Sequence, residues 1–159
     1  MKSDMRIICC GNPQRGDDAA GVLVAERLRE LGVEAETCTG EAFELIDKWR
    51  GVNDVIVVDA IITGERSGTV RLLDARGPVY REPLPTSTHG FSLVAAIELA
   101  RSIGALPERL LVYGIEGRRF EIGSEISPEV QSAVEKVVQQ IVDEAHRADI
   151  VDSGVPKLS

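Results

Sequence analysis

The sequence predicts an α/β fold: a single three-layer domain with a mostly parallel, twisted sheet of about five strands and helices on both faces. Segments with strand character alternate with helical segments along the chain, as in parallel sheets with helical crossovers. The run "DVIVVDAI" at 54–61 is almost continuously apolar, which is typical of a strand buried on both faces. A length of 159 residues is enough for one such domain.

Periodicity and chain breakers assign each element in order. Strands are predicted at 5–11, 33–39, 54–61, 67–75 and 109–116, and helices at 17–31, 41–51 and 90–104. A final long helix is predicted to begin at Ser127 and Pro128, a typical cap and first-turn pair. The proline-rich segment 76–89 is interpreted as a loop. We therefore predict one domain over 1–147 and a flexible C-terminal tail over 148–159.

The acidic composition argues against nucleic acid and anionic membranes as the main partners. The chain has 18 basic and 26 acidic residues and a net charge of −8, which disfavours nucleic acid and anionic membranes. No apolar stretch approaches the roughly 20 residues that span a bilayer.

The three cysteines, Cys9, Cys10 and Cys38, form no CxxC pair. We expect them to be small buried apolar residues in a reducing compartment, and expect the protein to be cytoplasmic.

Polar residues that could bind a metal or act in catalysis follow the predicted strands. Asp17 and Asp18 come after the first strand, Asp59 ends the third, and His89 ends the long loop. Sites in α/β sheets form beyond the carboxyl ends of the strands, where the strand order reverses. If the first and third strands are neighbours there, Asp18, Asp59 and His89 face one crevice. Two carboxylates and an imidazole suit zinc, nickel, manganese or iron.

Structural roles compete with these functional ones. Asp17 is predicted to cap the following helix, and Asp18 could share that helix-dipole role instead of acting chemically. Asp59 could cap a loop, and His89 could simply start a helix. The pair Arg118-Arg119 is either solvated or in contact with a partner. A phosphate site at the first turn is disfavoured because two aspartates would repel the anion and no GxGxxG is present.

Four segments together resemble a known family. They occur in order between about Met5 and Ile141: "GNPQRGDDAAGV", "VIVVDAIITGERSGTV", "STHGFSLVAAIELA" and "LVYGIEG". This combination is similar to the hydrogenase maturation proteases. The resemblance implies an endopeptidase that removes a C-terminal extension from the nickel-loaded precursor of a [NiFe]-hydrogenase large subunit.

The resemblance also implies roles for individual residues. The family's nickel ligands, taken also as the catalytic residues, map onto Asp18, Asp59 and His89, which leaves Asp17 as the cap. Nickel would come with the substrate, with zinc or cadmium as substitutes. The metal would polarise the scissile carbonyl or activate a water, or a carboxylate would act as general base. The expected partner is the precursor, and the expected state is a monomer.

Two alternative functions remain open from the sequence: a nickel-sensing assembly factor that does not cleave, and a generic metal-dependent hydrolase.

The chain also departs from the family pattern at three places. Ala19 and Ala20 follow the acidic pair where glycine is frequent. The late strand ends in Glu116-Gly117 where Gln-Pro is common. Asp18 is one methylene shorter than the Glu of some relatives.

Overall fold

The fold is seen in a computed structural model that describes residues 5–75, 86–87 and 92–152. Strands and helices alternate there as predicted, and a turn of 3₁₀ helix, Gly16–Ala19, precedes the first α-helix. The strands are β1 (Met5–Cys10), β2 (Glu36–Cys38), β3 (Asp54–Ile62), β4 (Val70–Asp74), β5 (Thr86–Ser87) and β6 (Arg109–Glu116). The helices are α1 (Ala20–Glu30), α2 (Ala42–Trp49), α3 (Ser92–Ile103) and α4 (Pro128–Asp152).

The strands form one mostly parallel sheet in the order β2-β1-β3-β6-β4, and β5 pairs with the end of β3. Strands β2, β1, β3 and β6 are parallel, whereas β4 is antiparallel to β6 and β5 is antiparallel to β3. The chain runs from β1 outward to β2 and then returns to β3 on the other side of β1. The order therefore reverses between β1 and β3, and these two strands are neighbours, which is the condition on which the predicted crevice depends.

Helices cover both faces of the sheet, which confirms the three-layer prediction. Helices α1 and α4 pack on one face and α2 and α3 on the other. Alternate residues of β3 divide between the two cores, since Ile56 and Val58 face α1 and α4 while Val55 and Val57 face α2 and α3. This is why the strand is apolar at nearly every position.

The cysteines follow the same alternation. Cys9 belongs to the core under α1 and α4, and Cys10 and Cys38 belong to the core under α2 and α3. All three are buried and reduced, so the prediction of small buried side chains is confirmed.

The structure corrects three boundaries. The helix predicted from residue 17 begins as the 3₁₀ turn and becomes α-helical only at Ala20. Part of the predicted loop 76–89 is strand β5, because Thr86 and Ser87 pair with the end of β3. Helix α4 continues to Asp152, so 148–152 extend the helix beyond the predicted domain boundary at residue 147. The rest of the predicted loop and of the predicted tail lies outside the described residues.

None of the helices within the described ranges combines the length and apolar character needed to cross a membrane.

Candidate functional site

Asp18 and Asp59 lie at the same edge of the sheet. Asp59 sits near the carboxyl end of β3, and Asp18 belongs to the 3₁₀ turn that follows β1 and lies against β3. Relative exposure is 0% for Asp18 and 1% for Asp59. Carboxylates so far from water need compensating polar or ionic interactions. Two of them at the strand-order reversal form a site that suits a cation or proton transfer.

The turn between β1 and α1 holds Asp18 through backbone contacts. The N–H of Asn12 donates to Asp18 Oδ2 over 3.1 Å. Gly11 makes this approach possible, because a Cβ at that position would overlap the carbonyl oxygen of Asp18. Gly21 in α1 has a similar role, since its Cβ would overlap the carbonyl oxygen of Cys10. The first and last glycines of the "GNPQRGDDAAG" segment therefore bring the helix start close against the end of β1.

Asp17 does not cap the helix that follows it, and that prediction is wrong. Neither the 3₁₀ turn nor α1 has a side-chain cap. The Asp17 carboxylate instead accepts hydrogen bonds from the loop before α4, on the far side of the turn. The donors are the N–H groups of Arg118 (2.8 Å), Arg119 (2.9 Å) and Ser127 (2.7 Å), and the Ser127 hydroxyl (2.8 Å).

This arrangement fixes the charge state of Asp17. Burial acts to raise the pKa of its carboxyl group, but the hydrogen bonds from Arg118, Ser127 and Arg119 outweigh burial and hold the pKa below its usual value. The Asp17 N–H also donates to the Arg119 carbonyl over 2.6 Å. Asp17 is thus an ionised link between the turn that carries Asp18 and the start of α4.

The third predicted ligand, His89, lies outside the described residues. Within the ranges that the structure covers, no three His, Cys, Asp or Glu side chains come together as a metal-binding cluster. The structure therefore brings Asp18 and Asp59 to one edge, and the predicted set of three stays a prediction.

A further buried carboxylate, Glu116, was missed by the sequence reasoning. It ends β6 with 2% relative exposure and accepts hydrogen bonds from the Thr63 N–H (2.9 Å) and the Thr63 hydroxyl. Its backbone N–H donates to Thr69, and its carbonyl accepts from Gly68. Glu116 therefore holds the segment after β3 against β6. The signal was available, because Glu116 ends a buried apolar run just as Asp59 does.

The loop between β6 and α4 reaches the same edge of the sheet. Arg118 and Arg119 are exposed, although their backbone N–H groups are bound by Asp17. Arg15 joins the first turn to this loop, since its Nε donates to the Phe120 carbonyl over 3.0 Å. Ile122 is 81% exposed on the same loop. Exposed arginine side chains fit both alternatives considered for this pair, solvation and contact with a partner.

The chain is similar to hydrogenase maturation proteases in sequence and in fold. Residues 38–144 match the family model described as hydrogenase maturation protease. A putative hydrogenase maturation protease of Methanocaldococcus jannaschii is 26% identical over 154 residues, which cover 90% of this chain and 97% of that protein.

Solved structures agree with this match. The [NiFe] hydrogenase maturation protease HybD from Thermococcus kodakarensis has a TM-score of 0.73 at 22% identity, covering 91% of this chain and 99% of that one. HycI, a [NiFe] hydrogenase maturation protease from Thermococcus kodakarensis KOD1, has a TM-score of 0.60 at 26% identity, with 89% and 92% covered. The family match spans more than half of the sequence, and the chain therefore belongs to the hydrogenase maturation proteases, a family of peptidases.

Proposed function

We propose that this protein is an endopeptidase that removes a C-terminal extension from the nickel-loaded precursor of a [NiFe]-hydrogenase large subunit. The observation that carries the proposal is the pair of buried carboxylates, Asp18 and Asp59, at the edge where β1 and β3 end. Membership of the maturation protease family supplies the reaction class. In the reaction, water adds across one peptide bond and yields a new C-terminal carboxylate and a free amine.

Asp18, Asp59 and His89 are proposed to bind the nickel that the precursor brings with it. Carboxylate and imidazole ligands suit this cation, and the substrate's own metal would leave a resident metal unnecessary. Binding of that nickel would place the scissile bond against the sheet edge, and such positioning accounts for a large part of many enzymatic rate accelerations. The protease would then cleave only precursors whose nickel has been inserted.

The experiment is an intact-mass measurement on a purified nickel-loaded precursor before and after incubation with the protein. Wild type, Asp18→Asn, Asp59→Asn and His89→Ala are compared. The matched control is Asp47→Asn, since Asp47 is an exposed carboxylate on α2. We expect wild type and the control to release a C-terminal peptide, and the three site variants to release it about 100-fold more slowly or not at all.

Two outcomes favour the competing functions. A stable complex that requires Asp18 and Asp59 but releases no peptide would indicate a nickel-sensing assembly factor. Equal cleavage of nickel-loaded and nickel-free precursor would show that the protein does not recognise the metal, and would favour a generic hydrolase. Zinc-loaded and cadmium-loaded precursors, tested in parallel, measure how strictly nickel is required.

A further inference from the structure

Two of the three cysteines face each other across neighbouring strands. Cys10 ends β1 and Cys38 ends β2, and the parallel register pairs these two residues directly. Their Sγ atoms lie 3.0 Å apart, and both residues are free thiols. Adjacent strands are about 4.8 Å apart, which lies within the Cα spacing that a disulfide spans. A disulfide between them would therefore require little backbone movement.

The two thiols have different environments. The hydrogen bond to Cys38, followed by burial, raises the pKa of the Cys10 thiol. The same hydrogen bond lowers the pKa of Cys38; burial opposes this, and the Gly40 N–H adds to the lowering. Cys38 is also the more exposed of the two, at 7% against 1% for Cys10. Because Cys38 lies nearer the surface and the Gly40 N–H favours its thiolate, Cys38 is the thiol suited to attack peroxide, and Cys10 is the thiol that then attacks Cys38.

We propose that Cys10 and Cys38 are a peroxide-reactive thiol pair that closes reversibly to an intrachain disulfide. The Cys38 thiolate attacks one oxygen of hydrogen peroxide, breaks the O–O bond and becomes a sulfenic acid, while the hydroxide that leaves takes up a proton to form water. The Cys10 sulfur then attacks the Cys38 sulfur. The S–O bond breaks, and the departing hydroxide takes the Cys10 proton to form the second water. In total, two thiols and one peroxide give one disulfide and two waters.

The pair lies next to the turn that carries the candidate site. The Gly11 N–H donates to the Cys38 carbonyl over 3.1 Å, and the next residue, Asn12, donates to Asp18. A disulfide would therefore tie the end of β1, from which this turn departs, to the end of β2. It would close a loop of chain that contains α1, and we expect such a closure to raise the melting temperature by about 10 °C.

Cys9 provides a control within the same strand. It is fully buried on the opposite face of the sheet, and burial raises the pKa of its thiol. Cys9 neighbours Cys10 in sequence but points away from Cys38, because successive strand residues face opposite sides. A nonspecific oxidation of all cysteines would include Cys9, whereas the proposed reaction does not.

The test is oxidation of the native full chain by hydrogen peroxide, followed by intact-mass measurement and peptide mapping. We expect wild type and Cys9→Ala to lose two hydrogens, to show a Cys10–Cys38 linked peptide, and to regain the hydrogens with dithiothreitol. Cys10→Ala is expected to accumulate a sulfenic acid at Cys38 that dimedone traps. Cys38→Ala is expected to form neither product.

Measurements on the wild-type protein alone can overturn the proposal, so the test does not require that the variants fold. Retention of all thiol hydrogens after peroxide treatment would contradict it. Oxidation of Cys38 to the sulfinic acid without a linked peptide, or a linkage that includes Cys9, would also contradict it. None of these measurements uses a hydrogenase precursor, so their outcome is independent of the proposed peptidase activity.

Discussion

The carboxylate of Asp17 accepts two hydrogen bonds from Ser127, one from its N–H and one from its hydroxyl, across 110 residues of sequence. Ser127 immediately precedes α4, and its carbonyl accepts the hydrogen bond of Gln131 in the first turn of that helix. The first acidic residue of the 3₁₀ turn therefore stabilises the start of the last helix. Asp18, one residue further, is bound on the other side of the turn.

Replacement of Asp17 is expected to destabilise the fold. Asp17→Ala leaves the buried Ser127 N–H and the N–H groups of two arginines without their acceptor, at a cost of about 3 kcal/mol in free energy of unfolding. Urea unfolding measures this loss. Asp47→Asn, on the exposed side of α2, serves as the control and is expected to unfold like wild type. An unchanged unfolding free energy for Asp17→Ala would show that the contacts to the α4 loop contribute little.

The contribution of Asp17 is also expected to depend on pH. Its pKa is lowered in the folded state, so its stabilising effect is fully present above the unfolded pKa of about 3.9 and is lost as pH falls through the folded value. The stability difference between wild type and Asp17→Asn should therefore be constant near neutral pH and shrink in acid below about pH 4. Urea unfolding at several pH values checks this. A difference that grows in acid would show the opposite sign of the pKa shift.

The length of the carboxylate at position 18 is expected to matter less than its charge. Asp18→Glu keeps an anionic oxygen that can reach a metal, so we expect processing of the nickel-loaded precursor within about tenfold of wild type. Asp18→Asn removes the charge and is expected to lower the rate by about 100-fold, as loss of a metal ligand or its support does. Single-turnover cleavage rates separate the two. Rates equal to wild type for both variants would exclude Asp18 as a ligand.

The Glu116 carboxylate is expected to stabilise the segment after β3. Glu116→Leu leaves the Thr63 N–H without an acceptor and should lower the free energy of unfolding by about 2 kcal/mol. Glu116→Gln retains an acceptor oxygen and should cost less than about 1 kcal/mol. The control is Glu125→Gln, because Glu125 is exposed. A Leu variant as stable as wild type would mean that water replaces the lost contact.

Close packing of α1 on β1 is expected to make Gly21 intolerant of a side chain. Gly21→Ala would force its methyl group against the carbonyl oxygen of Cys10, and overpacking of this kind costs about 1–3 kcal/mol. The melting temperature should fall by several degrees, although alanine favours helix intrinsically. Glu26→Ala, at an exposed position of the same helix, tests for helix propensity alone. A Gly21→Ala protein that melts at or above the wild-type temperature would contradict the close approach.

The sequence by itself determined the sheet and its crossovers. Apolar alternation and helical periodicity are local properties, so the strands at β3 and β6 and the helices α2 and α4 could be located from the residue pattern alone. The same holds for the position of Asp18 and Asp59, because the carboxyl ends of parallel strands share one edge. The family could be identified from its motifs, and its ligand set, including His89, stays a prediction.

Only the tertiary structure decided which loops meet at that edge. The partner of Asp17 lies in the loop before α4, and local pattern supplies no information about a contact so distant in sequence; the helix cap was therefore the natural but wrong expectation. Strand β5 depends on hydrogen bonds to β3 rather than on its own composition. The pairing of Cys10 with Cys38 follows from the register of β1 on β2, which the residues of either strand alone do not encode.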